Sequence, residues 1–319
     1  MRKYEDIVNV AVVNFRQVWG NTESNLARIK GFTKQAAKRG ADIIVFPEMA
    51  LTGYDNETDV PYAYKMQLRD AQTTDGEAIA EISAVTKMYG VYAVFGMAER
   101  DKEKNDVVYN SVAVCGPKGF IGTYRKLHPA LEEQCWCTRG NEPFMFDTQW
   151  GPVAVGICYD SYNFHELARY YAAAGARLYL NPTAVGGGPF FDWKEYYMTG
   201  LKQIVNSAEI FVASSNLTGF AKVDEEAGGS NDNQKSHGTR FGGGSIILGP
   251  GVGDKIHVYA GDVDSEEEKV FMETIDLSLA TRRNFKVDSI TGRPDYRPDL
   301  YIKLNQKLLE TEFWKQFKE

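Results

Sequence analysis

The chain has 319 residues, with 36 Lys and Arg against 43 Asp and Glu for a net charge of −7. That balance, with 43% hydrophobic and 25% charged residues, fits a globular protein; it excludes a disordered chain, a basic footprint for nucleic acid, and attraction to an anionic membrane surface. The charged N-terminus, the lack of an apolar run of bilayer length and four sparse cysteines predict no signal peptide, no membrane span and a reducing, cytoplasmic setting.

In chain order, Ile7–Val13 is a short β-rich run. Asn21 to Ser24 suits a helix start, Leu26, Ile29, Thr33 and Ala36 follow at helical spacing, and Gly40 suits a helix stop. Ala41–Phe46 then has the near-continuous apolar character of a buried strand. The same β-α-β grammar repeats. Ile79, Ile82, Thr86 and Tyr89 mark a helix closed by Gly90, and Val91–Met97 a strand. Val107–Cys115 and Phe120–Tyr124 pair as a hairpin across Gly116-Pro117-Lys118-Gly119. Val153–Ile157 is a strand, Phe164 to Ala172 a helical stripe ending at Gly175, and Arg177–Leu180 a strand. Leu201, Ile204, Val205 and Ala208 mark a helix, and strands follow at 210–214, 245–248, 256–260 and 270–275. The polar stretch 224–238 is expected as a surface loop. These halves predict one layered α/β domain over residues 1–290, with 291–319 as a tail carrying Pro294, Pro298 and a short helix.

In open α/β sheets, ligands bind beyond the strand ends. Three reactive residues stand there: Glu48 in Phe46-Pro47-Glu48, Lys126 in Tyr124-Arg125-Lys126, and Cys158 at the end of the 153–157 strand. A carboxylate, an ammonium and a thiol together suit nucleophilic catalysis. Taken singly, each has an ordinary alternative: a capping or solvated Glu, a surface Lys, a small buried Cys. Cys135, Cys137 and His128 lack the usual zinc spacing, so no metal is expected. Gly186-Gly187-Gly188 lacks the Lys-Ser/Thr of a P-loop and reads as a close backbone approach or pocket rim.

The blocks Phe46-Pro47-Glu48, Tyr124-Arg125-Lys126-Leu127-His128 and Gly156-Ile157-Cys158-Tyr159-Asp160 resemble, in order, the signatures of the nitrilase superfamily of carbon–nitrogen hydrolases. Leu51-Thr52-Gly53-Tyr54, Gly175-Ala176, Asn181-Pro182, Gly243-Gly244-Ser245 and Gly249-Pro250 agree, so the resemblance covers about residues 5 to 290. It implies an α-β-β-α sandwich and a Glu48-Lys126-Cys158 triad that needs no cofactor. Glu133, seven residues after Lys126, is the expected second glutamate, with its neighbour Glu132 as competitor. The backbone N–H of Tyr159 is the expected second oxyanion donor, and Tyr54, Asn181, Thr183 and Trp193 the further substrate contacts. Tyr54, Trp193, Tyr196 and Tyr197 are equally read as ordinary core aromatics.

The segment after Cys158 departs from the family's Phe-Pro-Glu: His165 stands where proline is common and Phe164 comes one residue late. That implies a longer turn and an altered pocket wall. Tyr159-Asp160 resembles amidases and N-carbamoyl hydrolases more than the Trp-Glu of nitrilases proper. The expected activity is therefore hydrolysis of a small linear amide or N-carbamoyl compound through a thioester, releasing ammonia or an amine. Nitrile hydrolysis, acyl transfer from the same thioester, and a non-catalytic binding module are the alternatives. A homodimer or larger homo-oligomer is implied, with the tail packing on a neighbouring subunit.

Overall fold

The computed structural model describes residues 4–187, 191–223, 236–253 and 255–317. Residues Met1–Thr281 form one compact unit and Arg282–Glu319 a second; the sequence places the corresponding boundary nine residues later.

The first unit is built on two six-stranded mixed sheets. One contains β1 (Ile7–Asn14), β2 (Ile43–Val45), β3 (Tyr92–Arg100), β4 (Val108–Gly116), β5 (Gly119–Arg125) and β14 (Lys269–Asp276), in the order β14-β1-β2-β3-β4-β5. The other contains β6 (Phe144–Thr148), β7 (Gly151–Val155), β8 (Leu178–Thr183), β9 (Phe211–Asn216), β12 (Ile246–Pro250) and β13 (Ile256–Gly261), in the order β13-β12-β9-β8-β7-β6. Each has a parallel centre, β1-β2-β3 or β7-β8-β9, extended by antiparallel strands. A separate hairpin pairs β10 (Thr218–Val223) with β11 (Ser236–Gly242).

Central strands buried on both faces need side chains that are apolar throughout. In β1, Val10, Ala11, Val12 and Val13 are all fully buried. Ala11 and Val13 share a core with Leu26 and Ile29 of α1 (Thr22–Lys38) and with Ile79 and Ile82 of α3 (Glu77–Tyr89). The short α2 (Met66–Asp70) lies between them in sequence. Between the sheets, the Ser215 hydroxyl donates to the Val13 carbonyl at 2.7 Å, and Phe15 N–H donates to the Asn216 carbonyl at 3.3 Å. The second sheet carries α4 (Tyr159–Tyr162), α5 (His165–Ala174) and α6 (Trp193–Ala208), whose Leu167, Ala168, Leu201 and Ile204 are buried. The order helix, sheet, sheet, helix is the expected α-β-β-α sandwich.

β6 and the β10–β11 hairpin are strands that the sequence does not announce. The expected loop at 224–238 falls outside the described residues up to 235, while its last three residues begin β11. The second unit holds α7 (Pro298–Leu309), with Pro298 in the first turn where its missing N–H costs nothing, and α8 (Glu312–Lys315).

Candidate active site

Glu48 is delivered by the chain as it leaves β2. Gly96 of β3 donates its N–H to the Pro47 carbonyl at 3.0 Å and accepts from Leu51 N–H at 2.9 Å. A Cβ on Gly96 would lie 2.1 Å from the Met49 nitrogen and 2.6 Å from Glu48 Cα. The lack of a side chain at Gly96 therefore lets the backbone of Glu48 lie against the strand. Met49 follows at φ 55°, turning the chain away.

Lys126 follows β5 directly. Its N–H donates to the Asn110 carbonyl at 2.8 Å and its carbonyl accepts from Gly140 N–H at 2.8 Å. The Lys126 ammonium donates to Glu48 Oε1 at 2.7 Å and to both oxygens of Glu133, at 2.9 and 2.8 Å. Asn110 Nδ2 bridges the same two carboxylates, at 2.7 Å to Glu48 Oε1 and 3.0 Å to Glu133 Oε1. Glu133 sits in a 3₁₀ turn, Leu131–Cys135, and accepts from Ala130 N–H at 2.6 Å and from the Tyr54 hydroxyl at 2.9 Å. Its neighbour Glu132 is exposed. Glu48, Lys126, Glu133 and Asn110 are all buried.

Cys158 sits on the sharp turn between β7 and α4, at φ 43° and ψ −107°. A non-glycine residue held there stores about 1–3 kcal/mol of strain. The turn is pinned by Cys158 N–H to the Pro182 carbonyl (3.1 Å), Asp160 N–H to Ile157 (2.9 Å) and Ser161 N–H to Cys158 (2.8 Å). Tyr159 opens α4, so its N–H is among the donors that a helix leaves without an intrahelical partner.

Burial pushes the Glu48 carboxyl up to about 7; the Lys126 ammonium opposes this and the Glu133 charge adds to it. Burial also pushes the Cys158 thiol up to about 12, helped by Glu48 and opposed by Lys126 and by hydrogen bonding from Thr183. Cys158 is thus a resting thiol within the electrostatic reach of both charges. For Lys126, burial disfavours the ammonium, but Glu133 and Glu48 outweigh it and hold its pKa well above normal. Burial and the same two carboxylates hold the Tyr54 phenol well above its usual range, so it stays a donor. Glu48 Oε2 is buried and accepts no hydrogen bond. A buried acceptor left this way calls for an explanation in the chemistry of the site.

The other expected contacts divide. Tyr54 is in the cluster through Glu133. Thr183 stands beside Cys158, with its hydroxyl 2.9 Å from the Tyr162 hydroxyl. Asn181 is fully buried, and its amide is used internally. Nδ2 donates to the Gly156 carbonyl (3.1 Å) and Ser161 (2.7 Å), while Oδ1 accepts from Tyr162 and Ser214, each at 2.8 Å. Trp193 opens α6 with its ring against Gly242 and 6.1 Å from Tyr197. Tyr197 is buried in the core, whereas Tyr196 is partly exposed, accepts from Asn163 Nδ2 at 2.6 Å and lies within electrostatic reach of Cys158. In the altered segment, Phe164 precedes α5 and stacks on His128, 3.6 Å between ring centres. Cys135 donates to the Asn56 carbonyl, and Cys137 packs with Trp136 and Met49. Gly186 bridges Phe241, and Gly188 lies outside the described residues.

Sequence reasoning misses Asn110. Its signal is a lone amide between Val108 and Val112 in a strand whose other residues are mostly apolar.

The sandwich thus holds a buried carboxylate–ammonium cluster and a strained cysteine at its strand ends. Residues 9–284 match the carbon-nitrogen hydrolase family, and the chain belongs to it. It is 28% identical over 313 residues to a citrullinase of Francisella tularensis, covering 94% of this chain and 99% of that one. It is 28% identical to the N-carbamoylputrescine amidase of Solanum lycopersicum, over 94% of this chain and 96% of that one. A nitrilase of Pyrococcus abyssi is 36% identical over 177 residues, 55% of this chain and 64% of that relative. Among solved structures, the amidase of Nesterenkonia sp. AN1 shares the fold at TM-score 0.71 and 17% identity, over 95% of this chain and 98% of that one. That structure is of a variant with the acetamide moiety of fluoroacetamide added covalently at its active site cysteine. Among the described residues of this chain, no helix is long and apolar enough to cross a membrane.

Proposed function

We propose that this hydrolase cleaves the non-peptide C–N bond of a small linear amide or N-carbamoyl compound through a thioester on Cys158. The observation that carries the reading is the free Oε2 of Glu48, in a carboxylate whose other oxygen is anchored by Lys126 and Asn110. Glu48 takes the Cys158 proton as sulfur attacks the carbonyl carbon. The Lys126 ammonium and the Tyr159 N–H stabilise the oxyanion, an interaction whose loss costs about 3–4 kcal/mol. Collapse breaks the C–N bond; Glu48 returns the proton to nitrogen, and ammonia or an amine departs. Water, deprotonated by Glu48, attacks the thioester; the C–S bond breaks and the proton returns to sulfur. Glu133 orients Lys126 and the substrate. Thr183 supports the thiolate, Tyr54, Tyr159 and Trp193 face the substrate, and Asn181 braces the cysteine turn in place of the substrate contact expected from sequence.

Two of the near-full-length relatives, named for citrulline and N-carbamoylputrescine, favour the carbamoyl branch. Ammonia release from a panel of linear amides, N-carbamoyl compounds and nitriles, run beside C158A, tests the reading. Activity on the first two classes that C158A abolishes supports it. Activity on nitriles alone, or product formed solely with an amine acceptor, replaces it with nitrile hydrolysis or acyl transfer. An inert thiol with no turnover returns the binding-module reading. A cytoplasmic homo-oligomer with residues 291–319 on a neighbouring subunit belongs to the same proposal. Solution molar mass with and without that tail tests the assembly.

A further inference from the structure

Asp160 stands two residues after Cys158 and is fully buried. Its carboxylate is held by donors from the segment around Lys126. Oδ2 accepts from the Tyr124 hydroxyl at 2.7 Å and from Leu127 N–H at 3.2 Å. Oδ1 accepts from His128 N–H at 2.8 Å and lies 2.8 Å from His128 Nδ1. Because a carboxylate can only accept, the imidazole carries its proton on Nδ1. Stacking of Phe164 on the His128 ring holds that ring in place.

These bonds differ in kind from the others at the site. The bonds of Lys126 to Asn110, Gly140, Glu48 and Glu133 all lie on the side of the first sheet. The bonds that pin the Cys158 turn, to Pro182, Ile157 and Ser161, lie on the side of the second. The acid–base cluster and the nucleophile are thus two separately braced groups, and the Asp160 carboxylate ties one to the other. We propose that Asp160 is a positioning residue for the reaction: it sets the Lys126 ammonium against the Cys158 sulfur across the gap between the sheets. The inference rests on the roles proposed for Lys126 and Cys158. A misplacement of about 1 Å costs on the order of 10²-fold in rate, so a tether of this kind acts on turnover more than on substrate binding.

The substitution D160N keeps the side-chain shape but sets an amide NH₂ against two of the donors. The measurements are kcat and KM on the best substrate, and the rate of Cys158 alkylation by iodoacetamide at pH 8, both normalised to titratable thiol in protein with a cooperative melt. The expected result is a fall in kcat of about 10²-fold with KM within about threefold, and slower alkylation. The sign of the alkylation change is decisive. Removing a negative charge near a thiol, with nothing else moved, favours the thiolate and speeds alkylation; loosening Lys126 slows it. Y124F, which removes one donor, should move both readouts the same way by less. Alkylation that is unchanged or faster in folded D160N, or a kcat loss that vanishes on normalisation, overturns the proposal. If D160N does not fold, Y124F and H128A carry the readout, and unchanged alkylation in both overturns it. If the wild-type chain hydrolyses nothing in the panel, the activity assignment fails, while alkylation still tests the tether.

Discussion

The Glu48 carboxylate and the Lys126 ammonium meet at 2.7 Å with each side chain only 1% exposed. The same ammonium lies 2.8 Å from Glu133. One cation therefore holds two buried carboxylates together. Its removal strands two like charges in a medium that solvates neither. Replacing one member of a buried ion pair costs about 3–5 kcal/mol, so K126A should lose that much stability as well as turnover. Urea denaturation checks the first and ammonia release the second. A K126A protein as stable as wild type would show that the cluster is not braced as described.

Glu48 is pushed up to about 7 and Cys158 to about 12. Below pH 7 the base is protonated and cannot take the thiol proton. The acid limb of kcat/KM should therefore have its midpoint near 7, well above an ordinary carboxylate. A pH–rate profile on the free enzyme measures it; a limb near 4.5 would mean that burial does not govern Glu48.

The same shift has a sign in stability. The Glu48 pKa rises on folding from 4.5 to about 7, so its contribution is full below 4.5 and is lost as pH climbs through 7. Gln does not ionise, so E48Q should gain on wild type across that window, by on the order of a few kcal/mol. Paired denaturation curves at pH 4 and pH 8 test it. A margin that does not change with pH would contradict it. Turnover by E48Q should be abolished at both.

Glu133 accepts from Lys126, Asn110, Tyr54 and Ala130, whereas Glu132 is exposed. E133Q should lower kcat by about 10²-fold or more, and E132Q should stay within about twofold. Equal effects would mean that burial does not separate the two roles.

The strand-end positions of Glu48, Lys126 and Cys158 are legible because buried parallel strands leave near-continuous apolar runs, and whatever polar residue follows such a run stands out. The hairpin at Gly116–Gly119 is legible from its turn residues. β6, β10 and β11 are not: Phe144–Thr148 is five residues long, and the hairpin strands are broken by Gly219, Gly238 and Gly242, so no period of two is established. Asn181 illustrates the other limit. Its position after a strand marks it for the site, but whether its amide faces a ligand or its own core depends on Gly156, Ser161, Tyr162 and Ser214, which arrive from three other elements. Asp160 is likewise visible as a residue near the nucleophile, while its bonds to Tyr124, Leu127 and His128 exist only once two sheets are stacked.

The most direct test of the central claim is rapid quenching of the enzyme during turnover of its best amide or carbamoyl substrate, followed by peptide mass mapping. The acyl or carbamoyl mass should be found on the peptide containing Cys158, formed as fast as the first amine or ammonia is released, and be absent from C158A. Turnover with no adduct on that peptide, or turnover retained by C158A, would contradict the account.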